Sequence, residues 1–135
     1  MTVIALDYGL ARTGVAVSDP TRTVARPLGV VERAASEPGL ARVVELVHAQ
    51  HAERVVVGLP VTLRGERGEQ ARETERFVET LRAALPDTPV ETWDERFTTR
   101  LAEASAGAGA RGEEDALAAA HLLSSYLEWL SASRT

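Results

Sequence analysis

Cysteine is absent from the 135 residues, so neither a disulfide frame nor a thiolate zinc site can form, and nothing requires an oxidising compartment. Lysine is absent too. All 15 cationic residues are arginine, a bias that base composition explains before any function does. No apolar run approaches the ~20 residues that a membrane-spanning helix needs, and the opening "MTVIALD" has neither a basic leader nor a long apolar core. A cytoplasmic location and no membrane partner are the expectations. Positive charge is also in deficit. The net charge of −5 argues against a generally basic surface, because neutralising phosphates is what supplies non-specific affinity for nucleic acid.

What is present suits one packed domain over residues 1–135. The chain is 44% hydrophobic and 26% charged, with no repeat and no low-complexity tract beyond a short "GAGA" segment near residue 108. Val3 to Leu6 read as a buried strand and Thr13 to Ser18 as its antiparallel partner, joined by the glycine-bearing loop "DYGLARTG". "VARPLGVVER" offers a third strand whose Pro27 suits a sheet edge, since proline cannot donate to the ladder. From Pro38 the period becomes helical, through Leu40, Val43, Val44 and Val47 to about residue 51.

"RVVVGLP" has the β-branched look of a central strand covered on both faces, and the polar loop "VTLRGERGEQ" follows it. A second helix carries Ala71, Thr74, Phe77, Val78, Leu81 and Leu85 on one side. "PVETWDERFTT" reads as a fifth strand ending in charge. Thr98 or Thr99 would then cap a short helix through Ala104, "AGAGARGEE" would be a flexible link, and a last helix would run from about Glu114 to Leu130. The expected fold class is α/β: a five-stranded mixed sheet, three strands antiparallel and two parallel, with helices on both faces. Ligands of such sheets gather at the carboxyl ends of the parallel strands, where Asp7, Asp94 and Glu95 fall and where a helix starting near Asp115 can pack.

Carboxylates from separate elements repel one another unless a cation sits between them, and Mg²⁺ or Mn²⁺ prefers oxygen ligands. Two such ions about 4 Å apart suit phosphodiester hydrolysis. Taken singly, Asp7 is a turn residue and Asp94 or Glu95 a solvated strand end. Gly9 and Gly14 are matters of backbone shape, by positive φ or close approach of strands. His121 reads as a packed or hydrogen-bonded core residue, and the isolated Trp93 and Trp129 as packing, not as base-stacking platforms.

Five motifs in order, "LDYGLARTGVAVSDP", "VVVGLP", "GERGEQARETERFVETL", "WDERFTT" and "DALAAAHLLSSYL", resemble those of the YqgF family, also called the RuvX family, from residue 4 to about residue 128. The resemblance implies an RNase H-like fold related to Holliday junction resolvases of the RuvC type. It also implies a nuclease dependent on Mg²⁺ or Mn²⁺, with two ions, acting on pre-16S rRNA or on a four-way DNA junction. Carried over by residue, Asp7, Glu95 and Asp115 are the catalytic and metal-binding acids, with Asp94 as an additional ligand candidate. Asp7 would bridge the ions, and Asp115 would act from a helix N-terminus, where the helix dipole also favours a carboxylate. Arg12 and Arg96 are the candidate phosphate clamps, and Arg64 and Arg67 further candidates for substrate contact. A homodimer would suit paired nicks in a junction.

Relatives carry a basic stretch before the last-helix aspartate where this chain has "GAGARGEED", and RuvC-type resolvases offer a glutamate where "GLP" ends the fourth strand. Two other function classes compete. "DYG" after a first strand also resembles the phosphate loop of the actin and sugar-kinase superfamily, whose members bind nucleotide between two such domains. A non-catalytic factor in ribosome maturation or transcription, holding RNA or protein, is the alternative that the acidic balance suits.

Overall fold

A computed structural model of the protein describes residues 1–21, 24–62, 64–98 and 111–133. Its elements in order are strands β1 (Val3–Asp7), β2 (Arg12–Ser18) and β3 (Ala25–Glu32), helix α1 (Glu37–Ala49), strand β4 (Arg54–Leu59), helix α2 (Glu69–Ala84), strand β5 (Val90–Asp94), a 3₁₀ turn (Glu95–Phe97) and helix α3 (Arg111–Ala132). The five strands form one sheet in the order β3-β2-β1-β4-β5. β1 pairs antiparallel with β2 and β2 with β3, whereas β4 runs parallel to both β1 and β5. This is the expected mixed sheet, and Pro27 lies on its edge strand as the missing N–H requires.

Alternation along the strands divides the core into two layers. Ile4 and Leu6 join Val15, Val17, Val55 and Val57 under α1 and α2, where Val43, Val47, Phe77, Val78 and Leu81 close the layer. Val3, Ala5, Ala16 and Val56 face the other way, against Ala119, Leu122, Leu123 and Tyr126 of α3. β4 is fully buried at Val55, Val56 and Val57, because it lies between two strands and beneath helices on both sides. The Ser36 side chain caps α1 by accepting from the Gly39 N–H, with Pro38 in the first turn, where its missing N–H costs nothing.

α3 lies across β1, β2 and β3, and its small residues Ala116, Ala119 and Ala120 let it come close to the sheet. It begins at Arg111, earlier than the expected Glu114, and continues through Gly112. Asp115 therefore sits one turn inside the helix and not at its N-terminus, so the first-turn dipole position belongs to Glu113 and Glu114. The expected short helix and the first part of the flexible link fall at 99–110, outside the described residues, while the rest of that link, 111–114, is the first turn of α3. Before them stands the 3₁₀ turn, capped by Asp94, whose side chain accepts from the Arg96 N–H. His121 is packed, as expected, but its buried Nε2 has no hydrogen-bond partner among the described residues. No helix is long and apolar enough to cross a membrane among those residues.

Leu123 is fully buried between α3 and the sheet, so Leu123→Ala should lower stability by about 2–5 kcal/mol with an unchanged denaturant m-value. Urea unfolding followed by circular dichroism measures it, and an unchanged midpoint would contradict the packing of α3 on this face.

Candidate active site

Asp7 ends β1 with the side-chain parity of Val3 and Ala5, on the face that α3 covers. Its partner across the antiparallel pair is Gly14, and on the other side, one step beyond the Leu6 and Val57 pair, comes Gly58 of β4. Both neighbours of the aspartate thus lack a side chain. Each vacancy is filled by one of the other predicted acids. A Cβ on Gly14 would stand 1.9 Å from the backbone carbonyl oxygen of Asp115, so at that point α3 rests directly on β2. A Cβ on Gly58 would stand 2.7 Å from Oε1 of Glu95 and 2.3 Å from Cδ1 of Leu122, so the Glu95 carboxylate reaches back over β4. Gly14 is needed for the approach of a helix, not of a strand.

The acids are held by different means. Asp115 accepts from Nε of Arg12 at 2.7 Å, a contact that spans 103 residues of sequence and ties the start of β2 to α3. Asp94, next to Glu95, is gripped by Arg96, with Nε at 3.0 Å from both carboxylate oxygens and Nη2 at 2.6 Å from one. The Arg96 side chain holds the Asp94 carboxyl below its usual range, and the backbone N–H of Arg96 adds to the effect against a smaller opposing effect of burial. Both predicted phosphate clamps therefore pair with acids in this structure. Asp94 caps and anchors the D-E-R turn.

Arg96 also meets the loop after β4, since a Cβ on Gly65 would stand 3.3 Å from its Nη1, which brings Arg96 to the loop that carries Arg64 and Arg67. Arg67 lies 3.4 Å from Glu75 and is largely exposed. Arg96 thus lies beside the loop that carries Arg64 and Arg67, while Arg12 pairs with Asp115.

Asp7, Glu95 and Asp115 offer only oxygen donors and lie about the two glycine cradles, with Arg12 as the counter-ion of Asp115. That donor set fits a hard divalent cation and not a soft one. Among the described residues no three acidic, histidine or cysteine side chains stand close enough to grip one ion. Gly58 escaped the sequence reading, although "VVVGLP" held the signal: a glycine at the carboxyl end of a buried strand marks a close approach from another element.

The sheet order and the covering α3 define the class. Along almost its full length the chain resembles the RuvC resolvase of T. thermophilus in complex with a Holliday junction substrate, with a TM-score of 0.59, 22% identity and 96% of each chain covered. The Holliday junction resolvase of fowlpox virus gives a TM-score of 0.58 at 13% identity, covering 96% of this chain and 99% of that one. These likenesses give the fold as that of RuvC-like resolvases with the RNase H fold. The model of the RuvX family, described as Holliday junction resolvase, matches residues 1–129, and the chain belongs to that family. Relatives called "Putative pre-16S rRNA nuclease" include one from Rubrobacter xylanophilus, 48% identical over 130 residues that cover 93% of this chain and 91% of the relative. Another, from Chloroflexus aurantiacus, is 42% identical over 132 residues, covering 93% and 86%.

The two glycines predict two different outcomes. Gly14→Ala meets backbone, which cannot swing aside, and should cost about 3 kcal/mol or more; Gly58→Ala meets side-chain ends and should cost about 1 kcal/mol. Urea unfolding ranks them, and an equal or reversed order would contradict the cradle. For Asp94 the folded carboxyl titrates below the unfolded one, so its stabilisation is present above the unfolded value near 3.9 and fades as pH falls through the folded value. The melting-temperature gap between wild type and Asp94→Asn should accordingly be open at pH 6 and narrow below about pH 4. A gap that widens with acid would contradict the pairing.

Proposed function

We propose that this protein is a divalent-metal-dependent endonuclease that hydrolyses phosphodiester bonds in structured nucleic acid. The observation that carries the reading is the setting of Asp7, which lies between Gly14 and Gly58 with Asp115 and Glu95 brought over those two positions from α3 and from the turn after β5. Asp7, Glu95 and Asp115 would hold Mg²⁺ or Mn²⁺, two ions in all. Such ions orient the scissile phosphate, ready a water for attack and stabilise the leaving oxygen.

The chain's own residues set the rest of the chemistry. Asp94, neutralised by Arg96, fixes the turn that presents Glu95. Arg96, beside the loop that carries Arg64 and Arg67, supplies guanidinium groups that could contact a phosphate backbone once released from Asp94 and Glu75. Arg12 balances Asp115 and stands ready to take a phosphate once that carboxylate is engaged elsewhere.

Relatives that share 42–48% of their residues with this chain carry a precursor 16S rRNA name, which makes that RNA the first substrate to test. The family description makes a four-way DNA junction the second. Paired nicks in a junction would call for a two-fold homodimer, and a cytoplasmic location would suit either substrate. A non-catalytic binding role is the rival reading.

The test is cleavage of a model 5′ end of pre-16S rRNA and of a mobile four-way junction, with Mn²⁺, Mg²⁺ or chelator. Wild type should cut one substrate, chelator should abolish cutting, and Asp7→Asn should slow it by at least about a hundredfold, equivalent to ~2.7 kcal/mol of transition-state stabilisation. Cutting by Asp7→Asn at the wild-type rate would remove the catalytic assignment. Tight RNA binding without metal-stimulated cutting would establish the binding role instead.

A further inference from the structure

Aromatic residues are scarce, with two each of Trp, Tyr and Phe, yet four of the six meet at one place. Trp93 of β5 contacts Phe97, Tyr126 and Trp129 with ring centroids 6.0, 5.7 and 5.8 Å away. The other two, Tyr8 and Phe77, stack on each other beneath α2. The four rings line a cleft of about 650 Å³ between the edge strand β5 and the second half of α3. Trp93 and Tyr126 are buried, but Phe97 is 63% and Trp129 52% exposed, a large apolar surface for so small and aromatic-poor a chain.

Three carboxylates, Glu91, Asp94 and Glu128, share that lining. Two are already answered. Glu91 accepts from the Tyr126 hydroxyl at 2.6 Å and lies 3.4 Å from Arg54, and Asp94 is paired with Arg96. The same Arg96 guanidinium stands 5.8 Å from the centroid of the Phe97 ring, so one wall of the cleft already holds a cation between a carboxylate and an aromatic face. The opposite wall repeats the carboxylate and the ring, as Glu128 and Trp129, and Glu128 has no ion-pair partner among the described residues.

We propose that this cleft is a docking site for a basic protein segment, which inserts an arginine or lysine side chain against Trp129 and Glu128. Charge decides between the occupants that the rings would otherwise accept. The lining charge that remains unbalanced is negative, which repels the phosphates of a nucleic-acid strand and attracts a guanidinium or ammonium group. The proposal does not rest on the nuclease reading, since none of Glu128, Trp129 and Tyr126 belongs to the acidic site.

The full-length chain titrated with an arginine-bearing octapeptide tests this, by the emission of its two tryptophans and by calorimetry. Parallel titrations use the same peptide with citrulline in place of arginine and an oligothymidylate of similar length. Binding should saturate with the arginine peptide and vanish with the citrulline one. It should weaken roughly two- to five-fold in Glu128→Gln and again in Trp129→Ala, and stay unchanged in Glu79→Gln on α2. Glu128→Gln keeps the shape of the side chain, so it remains informative if the tryptophan variant melts early. Equal binding of the citrulline peptide, equal weakening by Glu79→Gln, tighter binding of the oligothymidylate, self-association through the cleft in sedimentation, or no saturable binding would each overturn the proposal.

Discussion

The arrangement of the acidic edge depends on two missing side chains. Where α3 crosses β2, the carbonyl of Asp115 lies so near Gly14 that no Cβ fits, and where Glu95 folds back over β4 it occupies the space that a Cβ on Gly58 would take. Asp7 lies between these two glycines on the sheet. A sheet edge with ordinary residues on both sides of Asp7 would hold the helix and the turn away from it. The constraint is strictest at Gly14, where the neighbour is backbone that cannot swing aside, and softer at Gly58, where side-chain ends can shift.

Gathering acids creates an electrostatic problem, and arginine meets it locally. Asp115 is matched by Arg12 and Asp94 by Arg96, each through a guanidinium that satisfies carboxylate oxygens directly. Because arginine stays charged and presents a planar fork, the same residues suit phosphate when a carboxylate is released. A net charge of −5 therefore coexists with arginines set directly against the acids. The aromatic cleft beyond the D-E-R turn keeps one carboxylate more than the guanidinium groups beside it can answer. One turn, Glu95–Phe97, thus presents a metal-ligand candidate to one side and an exposed phenyl ring to the other.

Much of the fold was legible in the chain because each strand and helix carried its own period. The apolar run Val3 to Leu6 marked a buried strand, helical spacing marked α1 and α2, and Pro27 marked an edge. What stayed hidden depends on contacts between remote residues. Arg12 and Asp115 are 103 positions apart, and nothing local says that a guanidinium of a first hairpin meets a carboxylate of the last helix. Trp93 and Trp129 look isolated in sequence, yet strand parity turns Trp93 toward α3 and the helix carries Trp129 past it, so the rings meet. The start of α3 was misjudged because glycine and small residues before Asp115 read as a link, whereas packing on β2 and β3 sustains the helix through Gly112.

The most direct test of the central claim is to locate manganese by anomalous scattering in crystals of the full chain grown with saturating Mn²⁺. The account predicts density bounded by the carboxylates of Asp7, Glu95 and Asp115 above Gly14 and Gly58, with Arg12 drawn away from Asp115. Manganese bound elsewhere, or a site from which Glu95 or Asp115 is missing, would contradict it.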